Sequence, residues 1–192
     1  MATTNNDTAA APANTELNEK YIAAVEKGDV AAMTELLTQG ANISAEDQFN
    51  NKPLHIAAMR NLPAVVSFLL ERNAEIDMLN ADDNTALLLA SNLCYTELVA
   101  QLVKAGARVT AVDLNGTTAL HWVSMGGDLA SAQLLVESKA DPNAACSDKT
   151  TPLHPAASQV LVHTHQHHHN HHHNHHHKLS FARASLLLLT RV

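Results

Sequence analysis

Aromatic side chains make up 3% of this 192-residue chain. So few large rings exclude a deep globular core built around them. Apolar residues reach 46%, but most of that content is Ala and Leu, which suits thin layers stacked on one another. Cysteine is scarce as well. Cys94 and Cys146 are too few for a disulfide framework and read as reduced structural thiols, which points to the cytosol or nucleus. Long hydrophobic runs are missing: Leu186–Leu189 is far too short to span a bilayer. The opening Met-Ala-Thr-Thr-Asn-Asn-Asp has neither the basic start nor the apolar run of a secretory signal. Asn115-Gly116-Thr117 therefore reads as a turn and not as a glycosylation acceptor.

Acidic residues are missing from one region only. All nineteen Asp and Glu lie in residues 1–157 against nine Lys and Arg, a balance of −10. Residues 158–192 carry Lys178, Arg183 and Arg191 and no acid, a balance of +3. An acidic body argues against nucleic acid as the main ligand, because phosphate contacts need clustered Lys and Arg.

What is present is a period. Lys-Pro-Leu-His at 52–55, Thr-Ala-Leu-Leu at 85–88, Thr-Ala-Leu-His at 118–121 and Thr-Pro-Leu-His at 151–154 begin 33 residues apart. Leu54, Leu87, Leu120 and Leu153 share one phase, and Ala41, Ala74, Ala107 and Ala140 share another. Extended backward, the register places a degenerate first copy near 17–46. Copies near 47–79, 80–112 and 113–145 follow, with a partial fifth over 146–157. Self-similarity at this period marks a solenoid.

Each copy reads as helix–turn–helix. Thr85, Thr118 and Thr151 are N-cap candidates, since a hydroxyl can accept from the orphan N–H groups of a first helical turn. Pro53 and Pro152 follow at the first helical position, where a missing N–H costs nothing. Leu54, Ala57 and Ala58 then share one helical face. A second helix presents Val65, Val66, Leu69 and Leu70, and in the next copy Leu98, Val99, Leu102 and Val103. Gly40 and Gly106 sit just past the second helices, where a left-handed residue ends a helix cheaply. Asn73 is the next-best residue there and Lys139 a poor one. Helices of about ten residues do not persist alone in water, so each must be buried against its neighbour.

These residues resemble the ankyrin repeat. The family pattern runs Asp, Gly, Thr-Pro-Leu-His, paired alanines, Gly-His, Leu-Leu and Gly-Ala-Asp-Val-Asn. The fourth copy is nearest it, with Asp113, Gly116, Thr118-Ala119-Leu120-His121, Gly127 and Ala140-Asp141-Pro142-Asn143. Lys52 departs from the pattern in place of threonine, Leu88 in place of histidine, and Asn61 and Cys94 in place of glycine. The resemblance covers residues 17–157. It implies an all-α solenoid of stacked helix–turn–helix units joined by β-turn or hairpin loops. Residues 1–16, rich in Ala, Thr and Asn, read as a flexible leader.

No catalytic constellation stands out. A Ser124, His121, Asp113 set can be assembled only on paper. By the resemblance, His55, His121 and His154 hydrogen-bond between repeats. Successive copies lie roughly 8–10 Å apart, whereas zinc ligands approach to about 2 Å, so these histidines are poorly placed to share a metal. Trp122, the single tryptophan, falls on an apolar helix position and reads as core. The resemblance also implies a concave binding groove lined by the turn tips between copies and the exposed start of each first helix. By position these are Gln48, Phe49, Asn51, Met59 and Arg60 in the second copy. Ala81, Asp82, Asn84, Asn92 and Leu93 follow in the third copy, and Leu114, Asn115, Thr117 and Met125 in the fourth. Phe49, Met59, Leu93, Leu114 and Met125 would form an exposed apolar row, and a row on a rigid face suggests a partner.

The phase breaks after Ala157. Pro155 falls near the fourth helical position, where it removes a hydrogen bond at a cost of about 3 kcal/mol. A tract from His163 to His177 holding eleven histidines follows, and then residues 179–192. Residues 158–192 read as a low-complexity, disordered tail, a truncated or shifted continuation of the array; either residues 179–192 fold back as a makeshift cap or, the favoured reading, the end of the array frays. The tract can bind Zn²⁺ or Ni²⁺ without a defined site. Thr190-Arg191-Val192 also fits the carboxyl ends taken by PDZ grooves. The sequence as a whole reads as a monomeric, non-catalytic, cytoplasmic or nuclear binding module for a protein partner, with no cofactor, membrane or nucleic-acid ligand. The competing readings are a histidine-rich metal-binding or pH-responsive protein, or a truncated product without a function of its own.

Overall fold

The computed structural model describes residues 12–152. Eight helices occupy this span, in pairs. The first pair is α1 (Pro12–Lys27) and α2 (Val30–Thr38), and the second α3 (Pro53–Met59) and α4 (Pro63–Glu71). The third is α5 (Ala86–Asn92) and α6 (Thr96–Lys104), and the fourth α7 (Ala119–Gly126) and α8 (Leu129–Glu137). The first helices stack in file, α1 on α3, α3 on α5 and α5 on α7, and the second helices form a parallel file from α2 to α8. The result is the two-layer helical solenoid expected from the 33-residue period. The partial fifth copy beyond Pro152, the histidine tract and the carboxyl end lie outside the described residues.

The caps follow the sequence. Thr85 Oγ1 accepts from the Leu88 N–H at 3.3 Å and Thr118 Oγ1 from the His121 N–H at 3.4 Å. Pro53 stands at the first position of α3. The aspartates Asp29 and Asp128 cap α2 and α8 through the N–H groups of Ala32 and Ser131. Helix α1 begins at Pro12, upstream of the boundary at Leu17 that composition suggests. Proline at a first helical position is itself a start signal, and it was outweighed by the polar composition around it.

The core is a continuous stripe between the two files. Leu54, Leu87 and Leu120, one per copy, are buried, as are Val65, Val66 and Leu69 on α4 and Leu98, Val99 and Leu102 on α6. Most of the other buried apolar residues are alanines, and this lets neighbouring helices approach closely. Tyr21 on α1 is fully buried, and burial pushes its phenol up to about 12.

Left-handed backbone recurs at three phases. Gly28, Asn61, Cys94 and Gly127 turn the chain between the helices of a pair, and Gly40, Asn73, Gly106 and Lys139 end the second helices. A third set, Asn50, Asp83, Gly116 and Lys149, lies at loop tips. Lys139, at φ 73°, confirms the poor match noted from the sequence.

Candidate partner-binding surface

The second, third and fourth copies and the partial fifth each begin with a tight finger loop. The amide of Asp47 bonds the Asn51 carbonyl at 3.1 Å, Asn80 bonds Asn84 at 3.1 Å, Asp113 bonds Thr117 at 3.1 Å, and Cys146 bonds Thr150 at 3.0 Å. In three fingers the first side chain folds over the tip. Asp47 Oδ1 accepts from the N–H groups of Phe49 and Asn51, Asn80 Oδ1 from Asp82 and Asn84, and Asp113 Oδ1 from Asn115 and Thr117. Such side-chain bonds to the backbone two residues on are the reason Asp and Asn favour turns. In the fourth finger Cys146 takes that position, and Asp148 accepts from the Thr150 N–H instead. Hydrogen bonds from Cys146 and Thr150 draw the Asp148 carboxyl down to about 2.

The fingers are tied to each other and to the helices. Asn80 Nδ2 donates to Asn51 Oδ1 at 2.9 Å, and Asn51 Nδ2 donates to Asp47 Oδ2 at 2.9 Å. The Ser147 N–H and hydroxyl both donate to the Asn115 carbonyl. His55 and His121 supply further ties. His55 Nδ1 accepts from the Lys52 N–H and its Nε2 meets the Met78 carbonyl at 2.9 Å. His121 repeats this with the Thr118 N–H and the Thr150 carbonyl. Burial holds both imidazoles below their ordinary range. The rings are consumed by these bonds, so His121 has no ring nitrogen left for Ser124, whose buried hydroxyl has no partner among the described residues. Nor, among the described residues, does any group of three or more His, Cys, Asp or Glu gather to hold a metal ion.

The residues assigned to a binding face divide under this geometry. Gln48, Arg60, Ala81, Asp82, Asn92 and Asn115 are exposed. So are four apolar side chains: Phe49 at 62%, Leu114 at 64%, Met125 at 47% and Leu93 at 43%. Met59 and Asn84 are only half-buried. Asn51 and Thr117 do not belong to an exposed face. Asn51 is buried because its amide is held between Asp47 and Asn80, and Thr117 because its backbone is drawn under the Asp113 carboxylate. Both stand at the inner end of a finger, where the chain turns into a helix.

Sequence reasoning missed two exposed apolar residues, Leu79 and Val112. They immediately precede two fingers and are 33 residues apart, and that spacing was the available signal. Two cavities at opposite ends of the array were also missed. One, of about 960 Å³, lies between α1 and the loop from Asn42 to Lys52. The other, about 300 Å³, lies between α7 and the last finger, beside Trp122. Trp122 packs on the core as expected but is only half-buried, and its indole N–H is buried without a partner among the described residues.

Paired helices stacked through buried small residues, with a finger between successive units, define a helical repeat solenoid of the protein-binding class. The chain belongs to the ankyrin repeat family. The family model for ankyrin repeats in three copies matches residues 21–113 and again 95–166. The chain is 32% identical to neurogenic locus notch homolog protein 1 of Xenopus tropicalis over 123 residues, 64% of this chain and 5% of that protein. It is 33% identical to human neurogenic locus notch homolog protein 2 over 111 residues, 57% of this chain and 4% of that protein. A probable E3 ubiquitin-protein ligase, XBOS32 of Oryza sativa subsp. japonica, is 32% identical over 121 residues, 62% of this chain and 24% of that protein. The matches thus span small fractions of these relatives. Among the described residues no helix is long and apolar enough to cross a membrane.

Proposed function

We propose that the array is a non-catalytic module that docks a protein partner along the finger tips and the adjoining first helices. The observation that carries this reading is the exposure of Phe49, Leu93, Leu114 and Met125 on fingers and first-helix ends. The positions around them are fixed by hydrogen bonds, so little side-chain or loop ordering remains to be lost on binding. Rigid apolar side chains ringed by polar neighbours are the usual make-up of an interface core.

Affinity capture with the full chain as bait tests the reading. Partners held by the parent should be lost with Phe49→Ala or Leu114→Glu and retained with Lys104→Glu, an exposed change at the end of α6. Equal capture by all four baits would refute docking on this face.

A further inference from the structure

The two end cavities occupy the same place in their copies and differ in chemistry. Ile22 and Glu26 of α1 stand 99 residues, three periods, before His121 and Met125 of α7. Asp47, Gln48 and Phe49 stand the same distance before Cys146, Ser147 and Asp148. At the α1 end the lining carries four carboxylates, Glu19, Glu26, Glu46 and Asp47, against one ammonium, Lys52. Glu26 is already paired with Arg60 and Glu46 with Lys52, but both carboxylates are exposed. The Glu26–Arg60 pair is exposed at both ends, and such pairs are worth little. Glu19 makes no ion pair among the described residues, so the trough keeps a negative surplus. At the α7 end the lining holds Trp122 and Met125, and its one carboxylate, Asp148, is occupied by the finger it closes.

We propose that the face is a two-ended ruler for an extended peptide: a Lys or Arg of the partner seats against α1, and an apolar or aromatic anchor seats beside Trp122. This deepens the docking reading and rests on it. The spacing follows from the stack. Three steps separate α1 from α7. At roughly 8–10 Å per step they span about 24–30 Å, which an extended chain at about 3.3 Å per residue covers in about eight residues. The acidic end also gives the partner a direction, since a reversed peptide would place its cation on the indole end and its apolar anchor among carboxylates.

Display selection of random sixteen-residue peptides on the immobilised full chain is the test, with affinities then measured by fluorescence anisotropy. The enriched peptides should share a basic residue and a Leu, Phe, Trp or Met about eight positions apart. Glu19→Lys and Met125→Glu, both exposed changes, should each weaken them at least tenfold, and Lys104→Glu should not. Far-UV circular dichroism checks that each variant is folded. Enriched peptides that depend on Leu114 but lack that spacing would overturn the ruler and leave the docking reading standing. Peptides indifferent to every groove substitution, or no enrichment at all, would overturn both.

Discussion

Lys139 shows what one residue costs in a repeated structure. It holds φ 73° at the position that Gly40 and Gly106 fill elsewhere. A side chain in left-handed backbone costs about 1–2 kcal/mol, partly offset by the entropy that glycine loses on folding. Lys139→Gly should therefore stabilise the fold by roughly 0.5–1 kcal/mol. Thermal unfolding should show a rise in Tm. An unchanged Tm would mean that the strain is relieved elsewhere. His121 carries a second prediction at this scale. Its Nδ1 accepts from the Thr118 N–H, so Nε2 holds the proton and donates to Thr150. A second proton would put two donors face to face. Burial lowers the folded pKa, so the unfolded state binds protons first. The stabilisation is complete above the unfolded value near 6.5 and is lost as pH falls below it. Tm should drop between pH 7.5 and 5.5, and His121→Gln should show a shallower drop. Identical slopes would remove this histidine from the pH response.

Elements were more legible in the sequence than loops. The helices announced themselves by apolar faces and by Thr and Pro starts, because those signals are local. The finger tips did not, since Asn50, Asp83 and Lys149 take left-handed backbone without the glycine that marks Gly116. Asn51 and Thr117 looked like tip residues because their burial depends on how the finger folds over itself and, for Asn51, on Asn80 of the next copy, neither of which spacing reveals. One compensation also spans elements. Cys94 stands where the family has glycine, and its sulfur fills the space against Gly126 at the end of α7: a Cβ added at Gly126 would lie 2.0 Å from Cys94 Sγ. Gly126→Ala should cost about 1–3 kcal/mol as overpacking, and Cys94→Gly should restore most of it. A double-mutant cycle measured by chemical denaturation would expose the coupling. Simple additivity of the two changes would contradict it.

At the scale of the molecule, stability is a sum of copies and seams. The seams are uneven. His55 and His121 each tie a first helix to the loop beyond it, but Leu88 occupies the matching position of α5 and is buried with no such bond to give. Leu120→Ala, one layer further on, should cost roughly 2–5 kcal/mol. It should also broaden the unfolding transition, because the copies on either side of that seam share less. A single sharp transition at lower denaturant would show instead that the array still melts as one. The fold class was readable because every copy repeats the same message. The end cavities were not, because they depend on what differs between copies.

The histidine ties also have a direction in time. Each reaches forward along the chain, from His55 to a carbonyl 23 residues on and from His121 to one 29 residues on. On a ribosome, a first helix is therefore complete while its imidazole still has no acceptor, until the second helix and the loop after it have been made. Nascent chains halted between those points would hold a formed but unlatched copy, and synthesis itself would close the latches one after another.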